Sequence, residues 1–166
     1  MQRTITHANL REGCILWHYT VRDLFERIQA DGLIKCATAR VPLYERPIVW
    51  FSTNQVYERT AIKGVEIPGC PPRDATWEEM LSLGLVRIGV RPETAPYNWG
   101  ALQVKSRMSN RLALGLVRVA KEVGAKPSEW RGTFEPVPRE LWVAVERYEN
   151  GIWIPGTAPI EALALN

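Results

Sequence analysis

One short segment of the chain combines residue types that could bind or transform a ligand: Leu16-Trp17-His18-Tyr19-Thr20. Aromatic and β-branched residues dominate it, which predicts a strand over residues 14–20. Side chains alternate along a strand, so His18 and Thr20 share one face and could meet the same ligand. A histidine on a central strand is often only a hydrogen-bonded core residue, and the surrounding residues must decide between the two interpretations.

Two familiar chemistries do not suit this histidine. His7 is the only other histidine, and Cys14, Cys36 and Cys70 lack the spacing of metal ligands, so we predict no metal site. Cys14 shares a strand face with His18, but four residues of strand separate the two by about 13 Å. That separation is too large for a cysteine–histidine nucleophile pair.

The elements that must position the segment predict an α+β domain over residues 1–166, with a mainly antiparallel sheet and helices beside it. Thr20 and Asp23 predict the start of a helix that ends at Asp31-Gly32, and Asn150-Gly151 predicts a hairpin turn between two strands. The further predicted elements are a strand at 33–37, a strand at 48–53, a short helix from Asn54 to Ala61, a helix capped by Thr76 and Glu79, a strand at 86–90 and a helix at 105–123.

Composition limits the class of protein. The chain of 166 residues has the length of one ordinary domain, and its hydrophobic fraction of 46% is that of a globular protein. No apolar run approaches the roughly 20 residues of a membrane-spanning helix, and the first residues lack the apolar core of a signal peptide. An odd number of scattered cysteines fits reduced thiols, so we predict a cytoplasmic protein without a membrane partner.

The order of motifs resembles the ADP-ribosyltransferase fold. The matching features are His18-Tyr19-Thr20, the following helix, Gly32-Leu33-Ile34, a loop, and Val49-Trp50-Phe51-Ser52. The match is closest to the histidine-first branch, which includes poly-ADP-ribose polymerases, rifampicin-modifying enzymes, DNA-modifying toxins and RNA 2′-phosphotransferases. It covers roughly residues 14–62. The resemblance implies a split sheet flanked by helices, and NAD as the substrate from which ADP-ribose passes to an unknown acceptor, a protein or a nucleic acid. A toxin or a phage or defence modifier would fit.

The resemblance also implies roles for individual residues. His18 would hydrogen-bond the adenosine-side ribose of NAD, with Thr20 beside it. Tyr19 stands where a glycine is common, which changes backbone access to the nicotinamide amide. The remaining implied contacts are Trp50 or Phe51 stacked on nicotinamide, Ser52 on the nicotinamide ribose or the catalytic carboxylate, and Arg40 or Arg46 on the diphosphate.

The family also needs a carboxylate late in the chain. Loss of nicotinamide leaves an oxocarbenium-like ribose, which a carboxylate can stabilise. Glu135 lies in a proline-flanked loop, and Glu140 immediately precedes a predicted strand, as the family's glutamate does. We take Glu135 and Glu140 as the pair to test, with Glu58 as a third possibility.

A basic stripe runs along the predicted helix at 105–123. Arg107, Arg111, Arg118 and Lys121 follow at spacings of four, seven and three, which places them on one side of a helix. Such a stripe is commonly a solvated face, and it also suits contacts to nucleic-acid phosphates.

Two other functions stay open. The first is a non-catalytic protein that binds a protein or a nucleic acid with the same scaffold. The second is an RNA 2′-phosphotransferase, which would need several basic residues near His18. Among the tryptophans, Trp99 and Trp130 lie in irregular segments and are candidates for the walls of a recess.

Overall fold

A computed structural model describes residues 15–156, and His7 and Cys14 lie outside them. The strands in chain order are β1 (Leu16–Val21), β2 (Leu33–Ile34), β3 (Val49–Ser52), β4 (Gly64–Val65), β5 (Arg73–Asp74), β6 (Leu85–Val90), β7 (Tyr97–Asn98), β8 (Trp130–Thr133), β9 (Val137–Pro138), β10 (Trp142–Glu149) and β11 (Ile152–Pro155). The helices are α1 (Arg22–Asp31), α2 (Trp77–Leu83), α3 (Trp99–Lys105) and α4 (Asn110–Val123).

Seven strands form the central sheet in the order β11-β10-β6-β1-β3-β8-β7, and every registered pair in it is antiparallel. Two small ribbons, β2 with β9 and β4 with β5, lie beside this sheet. The predicted α+β class with a mainly antiparallel sheet is therefore confirmed. None of the helices within residues 15–156 is long and apolar enough to cross a membrane.

Strand β1 is unequally paired with its two neighbours. It pairs with β6 along its whole length, from Leu16 opposite Val90 to Val21 opposite Leu85. Its only registered pair with β3 is Trp17 opposite Ser52. Because backbone hydrogen bonding stops there, the two strands can separate and leave room for side chains between them.

Hydrophobic residues on the two faces of the sheet form two clusters. One cluster lies under α1, whose Phe25 and Ile28 pack on it, and includes Leu16, Ile34, Val49, Phe51, Ile88 and Val90. The other lies beside α2 and includes Val21, Ala75, Met80 and Leu85, with Tyr148 and Trp153 packed against it. Full burial of each large aliphatic side chain contributes roughly 1.5–3 kcal/mol, so these clusters fix the sheet that carries β1.

The helix ends show which local predictions are correct. Gly32 ends α1 in the left-handed conformation with φ of 71°, as predicted, and Thr76 and Glu79 form the predicted capping box of α2. The prediction that Thr20 caps α1 is wrong. Thr20 remains in β1 opposite Val86, and α1 begins at Arg22 without a side-chain cap.

Two predicted helices also need correction. Residues 54–61 form bends and a turn and no helix, although the Asn54 side-chain oxygen accepts hydrogen bonds from the amides of Val56 and Tyr57 as a helix cap does. The predicted helix at 105–123 begins only at Asn110, as α4, and a separate helix α3 ends at Lys105. Arg107 lies between the two helices with φ of 61°. The predicted hairpin is confirmed: β10 and β11 pair across Asn150-Gly151, and both turn residues have positive φ.

Candidate functional site

A recess of about 360 Å³ lies where β1 and β3 separate. Its size is at the lower end of the range of small-molecule sites. Polar and charged side chains in its lining are His18, Ser52, Glu58, Thr60 and Lys63. Aromatic side chains in its lining are Trp17, Tyr19, Trp50, Phe51 and Trp130. Leu116 and Val119 of α4 form part of its wall.

His18 is held in place by a hydrogen bond to strand β3. Its Nδ1 lies 2.8 Å from the backbone oxygen of Trp50 on β3. Because a carbonyl oxygen only accepts, Nδ1 carries the hydrogen and Nε2 keeps a lone pair. Burial lowers the pKa of His18 to about 4; the backbone hydrogen bond opposes that shift, and the charge of Lys63 adds to it. At neutral pH the ring is therefore an uncharged hydrogen-bond acceptor in the recess.

Glu58 is a buried carboxylate held by hydroxyl groups. Its side chain lies in the loop after β3, and the residue is 6% exposed. The Ser52 hydroxyl donates to Oε2 at 2.8 Å, and the Thr60 hydroxyl and amide donate to Oε1 at 2.6 and 3.2 Å. Among the ion pairs of residues 15–156, none involves Glu58. The carboxylate is thus oriented by hydroxyl and amide donors.

Among the described residues 15–156, Lys63 is the one lysine or arginine that lines the recess. Burial lowers the pKa of its ammonium group. The charge of Lys63 contributes to the lowered pKa of His18, so the two side chains interact electrostatically. Lys63 can offer an anionic ligand group a partly desolvated cation, which interacts more strongly than one in open water.

Tryptophans form the aromatic side of the recess. Trp130 is 5% exposed and lies opposite Ser52 on the neighbouring strand β8. Its ring contacts Trp50 edge-on, with the ring centroids 6.2 Å apart, and Trp99 packs perpendicular to it at 4.9 Å. Trp130 is therefore a wall of the recess, as the sequence suggested, whereas Trp99 supports it from outside the lining.

The residues predicted to bind the cofactor separate into two groups. His18, Tyr19, Trp50, Phe51 and Ser52 all line the recess. The Tyr19 hydroxyl donates to the backbone oxygen of Asn54 at 2.5 Å, and burial raises the pKa of that hydroxyl to about 12. Tyr19 thus holds the loop that carries Glu58.

Thr20, Arg40 and Arg46 are not part of the lining. Thr20 is buried within β1. Arg46 is exposed, and its guanidinium lies over the ring of Phe134 at 4.1 Å. Arg40 is exposed with a left-handed backbone. Lys63, which the sequence did not single out, is the cation in the recess instead.

Glu135 and Glu140 are both exposed and lie outside the recess lining. Strand β8 runs antiparallel to β3, with Trp130 opposite Ser52 and Thr133 opposite Val49. Residues that follow Thr133 therefore leave the sheet at the end of β3 opposite to Ser52. The catalytic role of Glu135 or Glu140 stays a prediction, and Glu58 is the carboxylate that the structure brings to the recess.

One local signal could have raised Glu58 above the other two glutamates. A serine ends a strong strand, and the sequence Glu58-Arg59-Thr60 follows in the next loop. A hydroxyl residue two positions after a glutamate can hydrogen-bond it locally. The second hydrogen bond, from the Ser52 hydroxyl to Glu58, forms only because the loop returns to the end of β3. The sequence does not reveal that return.

The arrangement combines a neutral histidine, an oriented carboxylate, a partly buried ammonium group and aromatic walls. Within residues 15–156 no three histidine, cysteine, aspartate or glutamate side chains are close enough together to hold a metal ion. Such a set can bind a ligand that carries hydroxyl groups, a flat ring and an anionic group, and can stabilise positive charge that develops beside Glu58. Searches of protein-family models, curated proteins and solved structures find no match to this chain.

Proposed function

We propose that the chain is an NAD-consuming ADP-ribosyltransferase-like enzyme whose catalytic carboxylate is Glu58. The observation that carries the proposal is the buried Glu58 carboxylate, held by the hydroxyls of Ser52 and Thr60 and left without an ion pair among residues 15–156. A carboxylate paired with a cation would already be neutralised. Glu58 instead lies among neutral donors in a place of low solvent access.

The Glu58 carboxylate suits the cleavage of a ribose–nicotinamide bond. As the bond breaks, the electron pair leaves with nicotinamide, and positive charge develops on the ribose C1′ and ring oxygen. A fixed carboxylate stabilises this charge more effectively than water, because it needs no reorientation during the reaction. An acceptor nucleophile then bonds to C1′ and loses its proton, which completes transfer of ADP-ribose.

The other groups of the recess support binding of the same ligand. The Nε2 lone pair of His18 can accept a hydrogen bond from a ribose hydroxyl, because Nδ1 is bound to Trp50. Trp50 and Trp130 offer faces and edges to a flat heterocycle. Lys63 supplies a cation for the diphosphate in place of the arginines that the resemblance implied.

The same features favour this reaction over removal of a 2′-phosphate from RNA. That reaction needs several basic groups around the phosphate, and within residues 15–156 the recess has only Lys63. A non-catalytic binding function has no comparable support, since a buried charge without a cation weakens a structure that does not use it.

The experiment uses NAD labelled in its adenylate part, incubated with the purified protein and cell extract. We expect label to pass to a macromolecular acceptor with release of nicotinamide, and Glu58→Gln to abolish the transfer. Glu135→Gln and Glu140→Gln are the matched controls, because each makes the same isosteric change at an exposed glutamate.

Two results would count against the proposal. If the unmodified protein neither transfers label nor releases nicotinamide, the proposed reaction is wrong. If Glu58→Gln keeps full transfer while Glu135→Gln or Glu140→Gln loses it, the reaction stands and the assignment of Glu58 is wrong.

A further inference from the structure

Basic residues concentrate in one short part of the chain. Residues 105–126 contain six lysines and arginines and a single acidic residue, whereas the whole chain has a net charge of only +3. All six basic residues in this part are exposed. The rest of the chain therefore carries no net positive charge, and the cationic character of the protein belongs to α4 and its two ends.

Five of these exposed basic residues lie on α4 or beside its ends, and we name them the α4 basic strip: Arg107, Arg111, Arg118, Lys121 and Lys126. The helical spacing of Arg111, Arg118 and Lys121 puts them on one side of α4. Among the ion pairs of the described residues 15–156, only Arg118 of this strip takes part, at 3.9 Å from Glu122, and both side chains are largely exposed. Such a pair contributes little, so the strip keeps its charge for a partner.

The strip leads to a second groove that has aromatic walls. This groove, of about 720 Å³, is lined by Tyr57, Trp77 and Tyr148 together with Lys126 at the end of the strip. We name it the aromatic groove. The rings of Tyr57 and Tyr148 pack edge-on against Trp77, at 5.1 and 6.0 Å between centroids, and Trp77 is 42% exposed. A large aromatic ring is thus fixed in place and still open to a ligand.

The aromatic groove adjoins the recess, and the basic strip includes residues of the helix that forms part of the recess wall. Leu116 and Val119 of α4 form part of the recess wall, and the helical spacing places Arg111, Arg118 and Lys121 on a different side of the same helix. Ile62 lines the recess and also the aromatic groove. A molecule that follows the strip into the groove therefore passes beside the site where NAD is proposed to react.

We propose that this surface binds single-stranded nucleic acid, which is the acceptor of the ADP-ribose. Proteins that bind single strands combine a cationic track for the phosphates with aromatic side chains on which bases stack, and this surface has both parts side by side. Helix α4 is about 21 Å long at 1.5 Å per residue, the length of about six stacked nucleotides at 3.4 Å each. The identity of the acceptor rests on the proposed function, but the binding surface does not.

An anionic membrane is the main competing partner. Exposed apolar residues on α4, such as Leu114 at 70% exposure, are compatible with a lipid surface. However, α4 has no aromatic residue, and helices that lie in a membrane interface commonly have tryptophan or phenylalanine on their apolar face. The aromatic side chains lie in the neighbouring groove, where a base can stack on them.

The binding experiment uses a fluorescein-labelled, mixed-sequence 12-nucleotide DNA or RNA without NAD, titrated with protein at several salt concentrations. We expect Arg111→Glu with Lys121→Glu to weaken binding at least tenfold at 0.1 M salt. The loss of two phosphate contacts should make the slope of log affinity against log salt shallower by about 1.4 for a single strand. The matched control is Arg27→Glu with Arg91→Glu, which changes the net charge equally at exposed positions elsewhere and should alter affinity less than twofold.

Two further measurements test the aromatic groove separately from the basic strip. Trp77→Ala should weaken binding roughly five- to 100-fold, in line with the loss of one stacked base. Photocrosslinking of an oligonucleotide that contains 5-iodouracil to the unmodified protein gives the same information without a variant that could fail to fold. We expect the crosslink within the aromatic groove, on Trp77, Tyr57 or Tyr148.

Three results would overturn the inference. They are the absence of oligonucleotide binding at 0.05 M salt, an equal loss in the control variant, and binding only to vesicles of anionic phospholipid. These outcomes are independent of NAD turnover, so they are distinguishable from failure of the proposed function. If the oligonucleotide binds and label from NAD passes only to protein, the surface stands and the acceptor assignment is wrong.

Discussion

Two carboxylates, Glu58 in the loop after β3 and Glu146 on β10, are held in opposite ways. Glu146 on β10 is paired with the guanidinium of Arg87, whose Nε donates to its Oε2 at 2.7 Å. Arg87 is itself enclosed between the rings of Trp17 and Trp153, at 3.9 and 4.4 Å from their centroids. Glu58 is more buried, and only hydroxyl and amide groups hold it.

The difference indicates a structural role for Glu146 and a role in ligand binding or catalysis for Glu58. The charge of Glu146 is balanced within the fold by the buried guanidinium of Arg87. The charge of Glu58 is oriented without being balanced, which costs stability and leaves the electrostatic field available for a ligand. The two are also connected, because Arg87 donates to the backbone oxygen of Gln55 at 2.6 Å and so anchors the loop that carries Glu58.

The largest expected effect is the loss of activity in Glu58→Gln. The amide keeps the shape of the side chain but lacks the charge that stabilises the ribose, so we expect the rate of nicotinamide release to fall about 100- to 1,000-fold. The measurement is the initial rate at saturating NAD. A rate within tenfold of the unmodified protein would assign the charge stabilisation to another group.

The next largest effect is on stability, in Arg87→Met. This change leaves Glu146 without its cation and removes the guanidinium between two indole rings, which we expect to lower the free energy of unfolding by about 3 kcal/mol. Urea denaturation measures it, with Arg27→Met as the control at an exposed position. If both variants unfold at the same urea concentration, the Arg87 pair is not structural.

The lowered pKa of His18 predicts a pH dependence of stability. Unfolding returns the ring to a pKa near 6.5, so the unfolded chain binds a proton that the folded chain, with a pKa of about 4, does not bind. Stability is complete above pH 6.5 and declines as the pH falls toward 4. Because the ring is partly exposed, we expect a loss on the order of 2 kcal/mol.

Urea unfolding between pH 4 and 7 measures this dependence in a His7→Gln background, which leaves His18 as the remaining histidine. His18→Gln in that background should flatten the profile over the same range. An unchanged profile would mean that the carboxylates, and not His18, set the acid sensitivity.

The smallest expected effect comes from Ser52→Ala. It removes the donor to one oxygen of Glu58 and leaves the charge in place, so the carboxylate is less well positioned. A hydrogen bond to a charged group contributes about 1.5–3 kcal/mol, and we expect a loss near the lower end, about tenfold in rate. Ser52→Thr should restore most of the rate if the new methyl group fits. Equal losses in both variants would indicate a packing effect.

The parts of the fold that were predictable depend on neighbours in sequence. The left-handed Gly32 ends α1, Thr76 and Glu79 close a capping box, and Asn150-Gly151 makes a turn, each with partners a few residues away. The break between α3 and α4 has both a local and a distant contact. Ser109 caps α4 by accepting from the amide of Leu112. The backbone oxygen of Ser106 there accepts from the amide of Arg46, sixty positions earlier in the chain.

Only part of the candidate site was predictable from the sequence. His18, Tyr19, Trp50, Phe51 and Ser52 follow from the resemblance, and all five line one recess. Alternation pairs His18 with Thr20, which is buried within β1 and is not part of the lining. The resemblance places Glu58 below Glu135 and Glu140, because it calls for a carboxylate late in the chain. The burial of Glu58 depends on the return of the 54–61 loop to the strand end, which the sequence does not reveal. Tyr19 and Arg87 hold that loop through backbone oxygens of Asn54 and Gln55, contacts that no local pattern encodes.

The most direct test compares Glu58→Gln with Glu146→Gln, because both remove one charge with almost no change in shape. Each variant is assayed for the rate of nicotinamide release per folded molecule and for the free energy of unfolding. We predict that Glu58→Gln loses at least 100-fold in rate with little loss of stability, and that Glu146→Gln keeps its rate and loses about 2 kcal/mol. The reverse pattern, or a similar pair of losses in both variants, would contradict the distinction between the two carboxylates.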